Sequence, residues 1–203
     1  MKIGILGAGN IGGTLGAKWA KAGHTLQFGV RDANKAEVQR LLKSLGPKAS
    51  ASSLASAVDF AEVVVFAIPG TAMDETITAN AKGLDGKIVI DTTNKIGAPL
   101  INSQAAFNSH APQARYYRAF NAYGWENFEN PMYGNTPADL FFCGVDGEPR
   151  NQVEGLIKDV GMRPIYLGGP EQAGLVDSVL SLWFTLAVRQ KMGRNFAFKV
   201  LTR

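Results

Sequence analysis

Gly7, Gly9 and Gly12 in the run Gly7-Ala8-Gly9-Asn10-Ile11-Gly12 have the spacing of a phosphate-cradling turn. Each glycine answers a separate steric need. Gly7 allows a tight strand-to-helix turn, Gly9 lets a pyrophosphate approach bare backbone, and Gly12 lets the following helix lie close to a sheet. Phosphates would then sit at a helix N-terminus, where free N–H groups and the helix dipole favour negative charge. Lys2-Ile3-Gly4-Ile5-Leu6 reads as the strand before this turn. Ile11, Leu15, Trp19 and Ala22 then recur at helical spacing, which predicts a βαβ dinucleotide-binding unit.

The next strand, Thr25 to Val30, ends in Arg31, and Lys35 follows four residues on. In an NAD-specific unit a carboxylate at this place accepts hydrogen bonds from the ribose 2′-hydroxyl. A guanidinium and an ammonium instead suit a 2′-phosphate, so NADP(H) is expected over NAD(H). Asp32 is the counter-argument, since it becomes the ribose acid if the strand ends one residue later.

Two further stretches lie where ligands meet the carboxyl ends of parallel strands. Ile68 and Pro69 follow the strongest strand pattern, Glu62 to Ile68, and are expected to flank the cofactor. Thr92-Thr93-Asn94-Lys95 follows the strand Lys87 to Asp91, and the Asn94 amide can orient a nicotinamide carboxamide or a substrate carbonyl. Asn94 and Asn121 are the orienting candidates, and no residue stands out as a certain catalytic acid or base. His24 and His110 are the only histidines, so neither a nucleophilic triad nor a histidine metal site assembles, and no metal is expected. Lys95, Tyr123 and Tyr133 are the available proton donors. Such scarcity fits hydride transfer between two stacked rings better than ketone or imine reduction, which asks for a proton at the reacting bond.

Strands alternating with helices predict an α/β, Rossmann-type doubly wound parallel sheet. The expected division is a nucleotide-binding domain over 1–120 and a small C-terminal α/β substrate or dimerisation part over 121–203. Helices are read near 34–45, 71–81, 99–109 and 148–160, and strands near 116–120, 139–144 and 163–167. Seven aromatic side chains fall between Tyr116 and Tyr133, partly in a connection rich in Asn, Gly and Pro, where ligand stacking and simple packing are both open. From Leu175 to Val188 a long final helix is almost wholly apolar, which predicts burial against a second copy and hence a homodimer. Residues 195–201 alternate like an edge strand or a packed arm. Cys143, the only cysteine, lies in an apolar run and is read as a buried thiol. The net charge is +4, but the charges are mixed along the chain, which argues against nucleic acid. With no leader before the first strand and no apolar run of membrane-spanning length, a cytoplasmic protein without membrane attachment is expected.

These stretches together carry a resemblance. The glycine run, Gly29-Val30-Arg31-Asp32, Ala67-Ile68-Pro69, Asp91-Thr92-Thr93-Asn94, Arg118-Ala119-Phe120-Asn121 and Phe196-Ala197-Phe198-Lys199 resemble the deazaflavin-dependent NADP oxidoreductase family along the whole chain. The cytosolic reductase domain of six-transmembrane epithelial antigen metalloreductases is similar as well. The resemblance implies hydride transfer between NADPH and the deazaflavin coenzyme F-420, or a flavin in relatives, as co-substrate. It also implies that the loop through Asn10 and Ile11 holds the pyrophosphate, that Arg31 and Lys35 hold the 2′-phosphate, and that Ile68, Pro69 and Asn94 line the nicotinamide side. Val30 departs from the Ser or Thr common in the family, which removes one hydroxyl contact. Two other readings stand beside it. One is a small imine or carbonyl reductase resembling pyrroline carboxylate reductase; the other is an NADPH-binding sensor without turnover.

Overall fold

The computed structural model describes residues 1–203. The chain begins with β1 (Lys2–Leu6), α1 (Asn10–Lys21), β2 (Thr25–Gly29), α2 (Ala36–Leu45), β3 (Ala49–Ser52), α3 (Leu54–Phe60) and β4 (Val63–Phe66). It continues with α4 (Met73–Leu84), β5 (Ile88–Asp91), α5 (Gln104–His110), β6 (Arg115–Arg118), α6 (Trp125–Glu129), β7 (Met132–Tyr133) and β8 (Thr136–Pro137). The last elements are β9 (Asp139–Gly144), α7 (Glu148–Val160), β10 (Arg163–Tyr166) and α8 (Ala173–Phe184).

One eight-stranded sheet runs in the order β10-β9-β6-β5-β4-β1-β2-β3, parallel throughout except where β9 pairs antiparallel with β6. The α/β Rossmann reading is therefore borne out. The sheet crosses the expected boundary at residue 120, because β9 and β10 extend it beyond β6. Val63, Val64, Val65 and Phe66 are fully buried at its centre, as an apolar β-branched run covered on both faces requires. On one face Trp19 of α1 is fully buried and donates its indole N–H to the Leu156 carbonyl of α7 at 3.0 Å. Its ring meets Phe120 edge-on, with centroids 5.8 Å apart. Ser53 starts α3 by accepting the Ser56 N–H on its hydroxyl at 3.2 Å. Pro164 sits in β10, an edge strand, where a missing N–H is tolerated.

Three expectations need correction. The helix read from residue 99 starts only at Gln104, because Lys95 to Ile101 forms a turn closed by the Lys95 N–H on the Ile101 carbonyl. The strand read through Phe120 ends at Arg118, since Phe120 takes a positive φ of 59°. The chain also does not end in a long apolar helix. α8 has 12 residues and closes in a π-helical turn, Thr185–Arg189; the chain finishes as an extended arm without regular structure. No helix is long and apolar enough to cross a membrane.

The arm is clasped by polar bonds rather than by a sheet ladder. Asp139 is fully buried at the start of β9. It accepts two hydrogen bonds from Arg163 and one from the Val200 N–H, each at 2.7 Å, with the Lys199 ammonium at 3.0 Å. Trp183 donates to the Phe196 carbonyl and stacks on the Phe196 ring at 5.7 Å. Burial alone would raise the Asp139 carboxyl; its bonds from Arg163, Val200 and Lys199 outweigh that and hold it below the usual carboxylate range. A carboxyl depressed in the folded state stabilises above its unfolded value, about 3.9, and that contribution fades as pH falls through the folded value. Asp139→Asn should therefore lessen the loss of stability below about pH 4 that is expected of the wild type in urea unfolding. Parallel acid profiles for the two proteins would contradict the clasp.

Candidate functional site

β1, β4, β5 and β6 run parallel and end at one edge of the sheet, and the strand order reverses between β1 and β4. A crevice outside the carboxyl ends at such a switch point is the expected ligand position. The three glycines divide their roles there. Gly7 holds φ at 107°, and a Cβ on it would lie 2.3 Å from the Ala67 carbonyl oxygen. A Cβ on Gly12 would lie 2.3 Å from the Gly7 carbonyl oxygen, so Gly12 serves the approach of α1 to the turn. A Cβ on Gly9 would meet nothing within 4 Å. The open side of the loop is therefore at Gly9, directly before Asn10 and Ile11 in the first turn of α1. The Gly13 N–H bonds the Gly9 carbonyl at 2.7 Å, and the N–H groups ahead of it are the ones a helix leaves for an anion.

Arg31 and Lys35 stand exposed just past β2, and none of the chain's ion pairs involves either. Asp32 is committed to its own turn, accepting the Asn34 N–H at 2.9 Å. Past β4, the Ile68-Pro69-Gly70 turn packs on the end of β5; a Cβ on Gly70 would lie 2.5 Å from the Asn94 carbonyl oxygen. The structure thus brings Ile68, Pro69 and Asn94 together, as the spacing predicts.

Beneath Asn94 lies a group that sequence reasoning passed over. Arg118, at the end of β6, is completely buried, and its charge faces Asp91 of β5 and Asp177 of α8. Its Nε and Nη2 donate to Asp177 Oδ1 at 2.9 and 2.7 Å, and Nη2 also donates to Asn94 Oδ1 at 2.7 Å. Nη1 donates to the Thr93 and Asp91 carbonyls. Asp91 accepts the Thr93 N–H and hydroxyl, the Ser103 N–H and the Tyr116 hydroxyl. Burial would lower the Arg118 pKa, but the two aspartates outweigh it and raise it further. A signal was available: Arg118 is the one charge inside an apolar strand pattern, and Asp177 the one acid within the apolar final helix.

Asn121 is buried as well. Its carbonyl accepts the Asn94 side-chain N–H at 3.0 Å, and its own amide donates to Asp177 at 3.3 Å. The left-handed backbone at Phe120 makes this turn possible, a conformation that costs a non-glycine residue about 1–2 kcal/mol. Phe120 is pinned there by edge contacts to Trp19 and Phe128, at 5.8 and 5.7 Å.

The proton-donor candidates are all engaged elsewhere. Lys95 pairs with Asp74 at 2.6 Å, Tyr123 donates to the Asp139 carbonyl at 2.9 Å, and Tyr133 donates to Asn127. Burial raises both tyrosines above the ordinary phenol value. Of the aromatic stretch, Tyr116, Tyr117, Phe120, Tyr123 and Phe128 are core, which decides for packing over ligand stacking at those positions. Glu126 pairs with Arg194 at 2.7 Å. His24 bonds Asp159 at 2.8 Å at the end of the sheet remote from the crevice. Burial pushes the Cys143 thiol up to about 12. No group of three His, Cys, Asp or Glu side chains is placed to hold a metal. A cavity of about 570 Å³ lies at the C-terminal end of α1, opposite the glycine loop, where Lys18 and Lys21 face Glu129 and Asp159. Its mixed charge and distance from the crevice exclude it from this site.

Comparison with known proteins adds a family match, two relatives and two solved structures. Residues 2–95 match the model of a family described as NADP oxidoreductase coenzyme F420-dependent. The F420-dependent NADP reductase of Methanothermobacter marburgensis is 25% identical over 221 residues, covering 98% of each protein. A glycerol-3-phosphate dehydrogenase (NAD(P)+) of Pseudomonas fluorescens is 24% identical over 99% of this chain, which spans 60% of that enzyme's length. Among solved structures, a candidate F420-dependent NADP-reductase of Arthrobacter sp. FB24 superposes with a TM-score of 0.85 at 24% identity, each chain covered completely. An imine reductase of Streptomyces aurantiacus superposes with a TM-score of 0.72 at 15% identity, over 92% of this chain and 61% of that one. The structural likenesses speak for the fold, and the family match supports the resemblance read from the residues.

The glycine geometry separates binding from stability. Gly9→Ala should leave unfolding free energy within about 0.5 kcal/mol of wild type while weakening dinucleotide binding, and Gly12→Ala should cost more than about 1 kcal/mol in urea unfolding. Equal stability losses for the two variants would refute the division.

Proposed function

We propose that the chain is an NADPH-dependent oxidoreductase that moves a hydride between NADP(H) and a planar ring acceptor, a deazaflavin such as coenzyme F-420 or a flavin. The observation that carries the reading is that Lys95, Tyr123 and Tyr133 are all engaged with partners of their own, while the glycine loop is open at Gly9. A ring acceptor needs close placement of donor and acceptor carbons more than a side-chain acid. Bound NADPH would supply the hydride from its dihydronicotinamide. Arg31 and Lys35 hold the 2′-phosphate by charge, and the α1 N-terminus with the Gly9 opening takes the pyrophosphate. Ile68 and Pro69 wall one side of the nicotinamide, while Asn94 and Asn121 orient it.

In this reading residues 1–120 bind the nucleotide, and 121–203 carry the acceptor side and a homodimer interface in a cytoplasmic protein. The dimer rests on α8 and its π-helical turn, where Leu175, Leu182 and Val188 are about half exposed. The imine reductase alternative requires a proton donor at the reacting bond, and the sensor alternative requires no turnover.

Rapid mixing of enzyme and NADPH with oxidised coenzyme F-420, and separately with free flavin, should show loss of the dihydronicotinamide absorbance with one of them. Saturable NADPH binding without oxidation by either acceptor, and oxidation only by a cyclic imine, are the outcomes that would displace the reading. Arg31→Ala should weaken NADPH binding by about tenfold or more and NADH binding by less than about twofold. Sedimentation should show a dimer that Leu182→Glu converts to monomer; a monomeric wild type would remove the interface.

A further inference from the structure

Asn94 is a polar side chain of the crevice whose amide orientation is imposed by a cation. An amide oxygen and nitrogen are nearly the same shape, so neighbours decide which way the group points. Arginine has only donors, so the atom of Asn94 facing Arg118 Nη2 at 2.7 Å must be the oxygen. The Asn94 nitrogen then faces the Asn121 carbonyl at 3.0 Å, spending one of its two hydrogens. What remains for a ligand is the second N–H, on a side chain that is only half-buried.

Arg118 holds this orientation only because it cannot itself turn. Asp177 Oδ1 receives both Nε and Nη2, and Nη1 is taken by the Thr93 and Asp91 carbonyls, so all five guanidinium hydrogens have acceptors. Asp177 Oδ1 also receives the Asn121 amide, and its Oδ2 receives the Asn102 amide at 2.7 Å. Asp177 belongs to α8, far along the chain from the crevice loops, and is itself buried.

We infer that Asp177, acting through Arg118, is a positioning residue that locks the Asn94 amide with its N–H toward the ligand, so that this position selects a carbonyl oxygen. Resting on the proposed function, the group selected is the carboxamide oxygen of the nicotinamide. The α8 helix thereby sets the rotation of the ring whose carbon next to the carboxamide-bearing one exchanges the hydride.

Two analogues separate the atoms of that carboxamide. The thionicotinamide form of NADPH replaces the oxygen with sulfur, a poor acceptor, and the 3-acetylpyridine form keeps the oxygen but loses the amide N–H groups. Equilibrium binding followed by cofactor fluorescence or calorimetry should show the wild type binding the thio form about tenfold more weakly than NADPH, and the acetylpyridine form within about threefold. Asn94→Ala and Asp177→Asn should both reduce the thio discrimination to below about threefold. Loss of that ratio, as distinct from a uniform loss of affinity, is what a merely structural role would not produce. Should Asp177→Asn fail to fold, Asp177→Glu tests the same link by moving the charge one methylene. Wild type that rejects the acetylpyridine form and accepts the thio form overturns the polarity of Asn94. An unchanged ratio in the Asp177 variant that folds overturns its positioning role. If the wild type shows no saturable NADPH binding at all, the proposed function falls and this inference with it, whereas either of the other two failures leaves the proposed function standing.

Discussion

A guanidinium with no access to water must find every acceptor inside the protein, and the arrangement around Arg118 follows from that requirement. Its partners come from the end of β5, from the loop after it, and from α8. Removing one member of such a group leaves an uncompensated buried charge, at a cost of about 3–5 kcal/mol. The group therefore acts as a rigid joint between the sheet edge and the C-terminal helix. Its value lies less in net stability, since a buried ion pair roughly offsets its own desolvation, than in allowing one geometry for Thr93, Asn94 and Asn121.

That joint sits at the place where parallel topology opens a crevice. β1, β4, β5 and β6 point their carboxyl ends the same way, and the strand order reverses at β1 and β4, the switch point at which a ligand crevice is expected. Sterics then sort the loop glycines, two packed against carbonyls and one facing open space. The charges follow the same plan. Cations that would meet a phosphate stay on the rim in solvent, while the cation that orients an amide is sealed below with its counter-ions. A strained turn at Phe120, held by aromatic contacts on the core side, delivers the Asn121 carbonyl to the amide from the opposite flank. Strain of this kind persists only where the surrounding packing over-determines it.

The far end of the chain shows how polar clasps replace a ladder. The terminal arm closes on Asp139, whose carboxylate gathers Arg163, Lys199 and a backbone N–H at the mouth of β9. Phe196 and Phe198 then lie against Trp183 and Tyr123. Most of the aromatic stretch after β6 consequently has its ring faces spent on the core. Composition alone had left those rings open to a ligand, because a loop rich in Asn and Gly conceals how tightly its aromatics pack.

Local pattern was enough for the strand-turn-helix around Gly7, for the buried run of β4, for the limits of β9 and α7, and for the grouping of Ile68, Pro69 and Asn94 past adjacent strand ends. Those features depend on periodicity and on residues near one another in the chain, and periodicity is visible in one sequence. The features it missed rest on partners far apart. Arg118 and Asp177 stand 59 residues apart, and Asn102 and Asp177 stand 75 apart. Phe120 looked like strand until packing against Trp19 required a left-handed turn, and α8 looked longer than it is because apolarity does not mark where a helix stops. The one-dimensional sequence determined most of the segments that become strands and helices and the glycine turn between β1 and α1. Only the tertiary structure decided which buried charges meet, and so which way the Asn94 amide points, because the orientation of an amide is set by neighbours that the chain brings together only on folding.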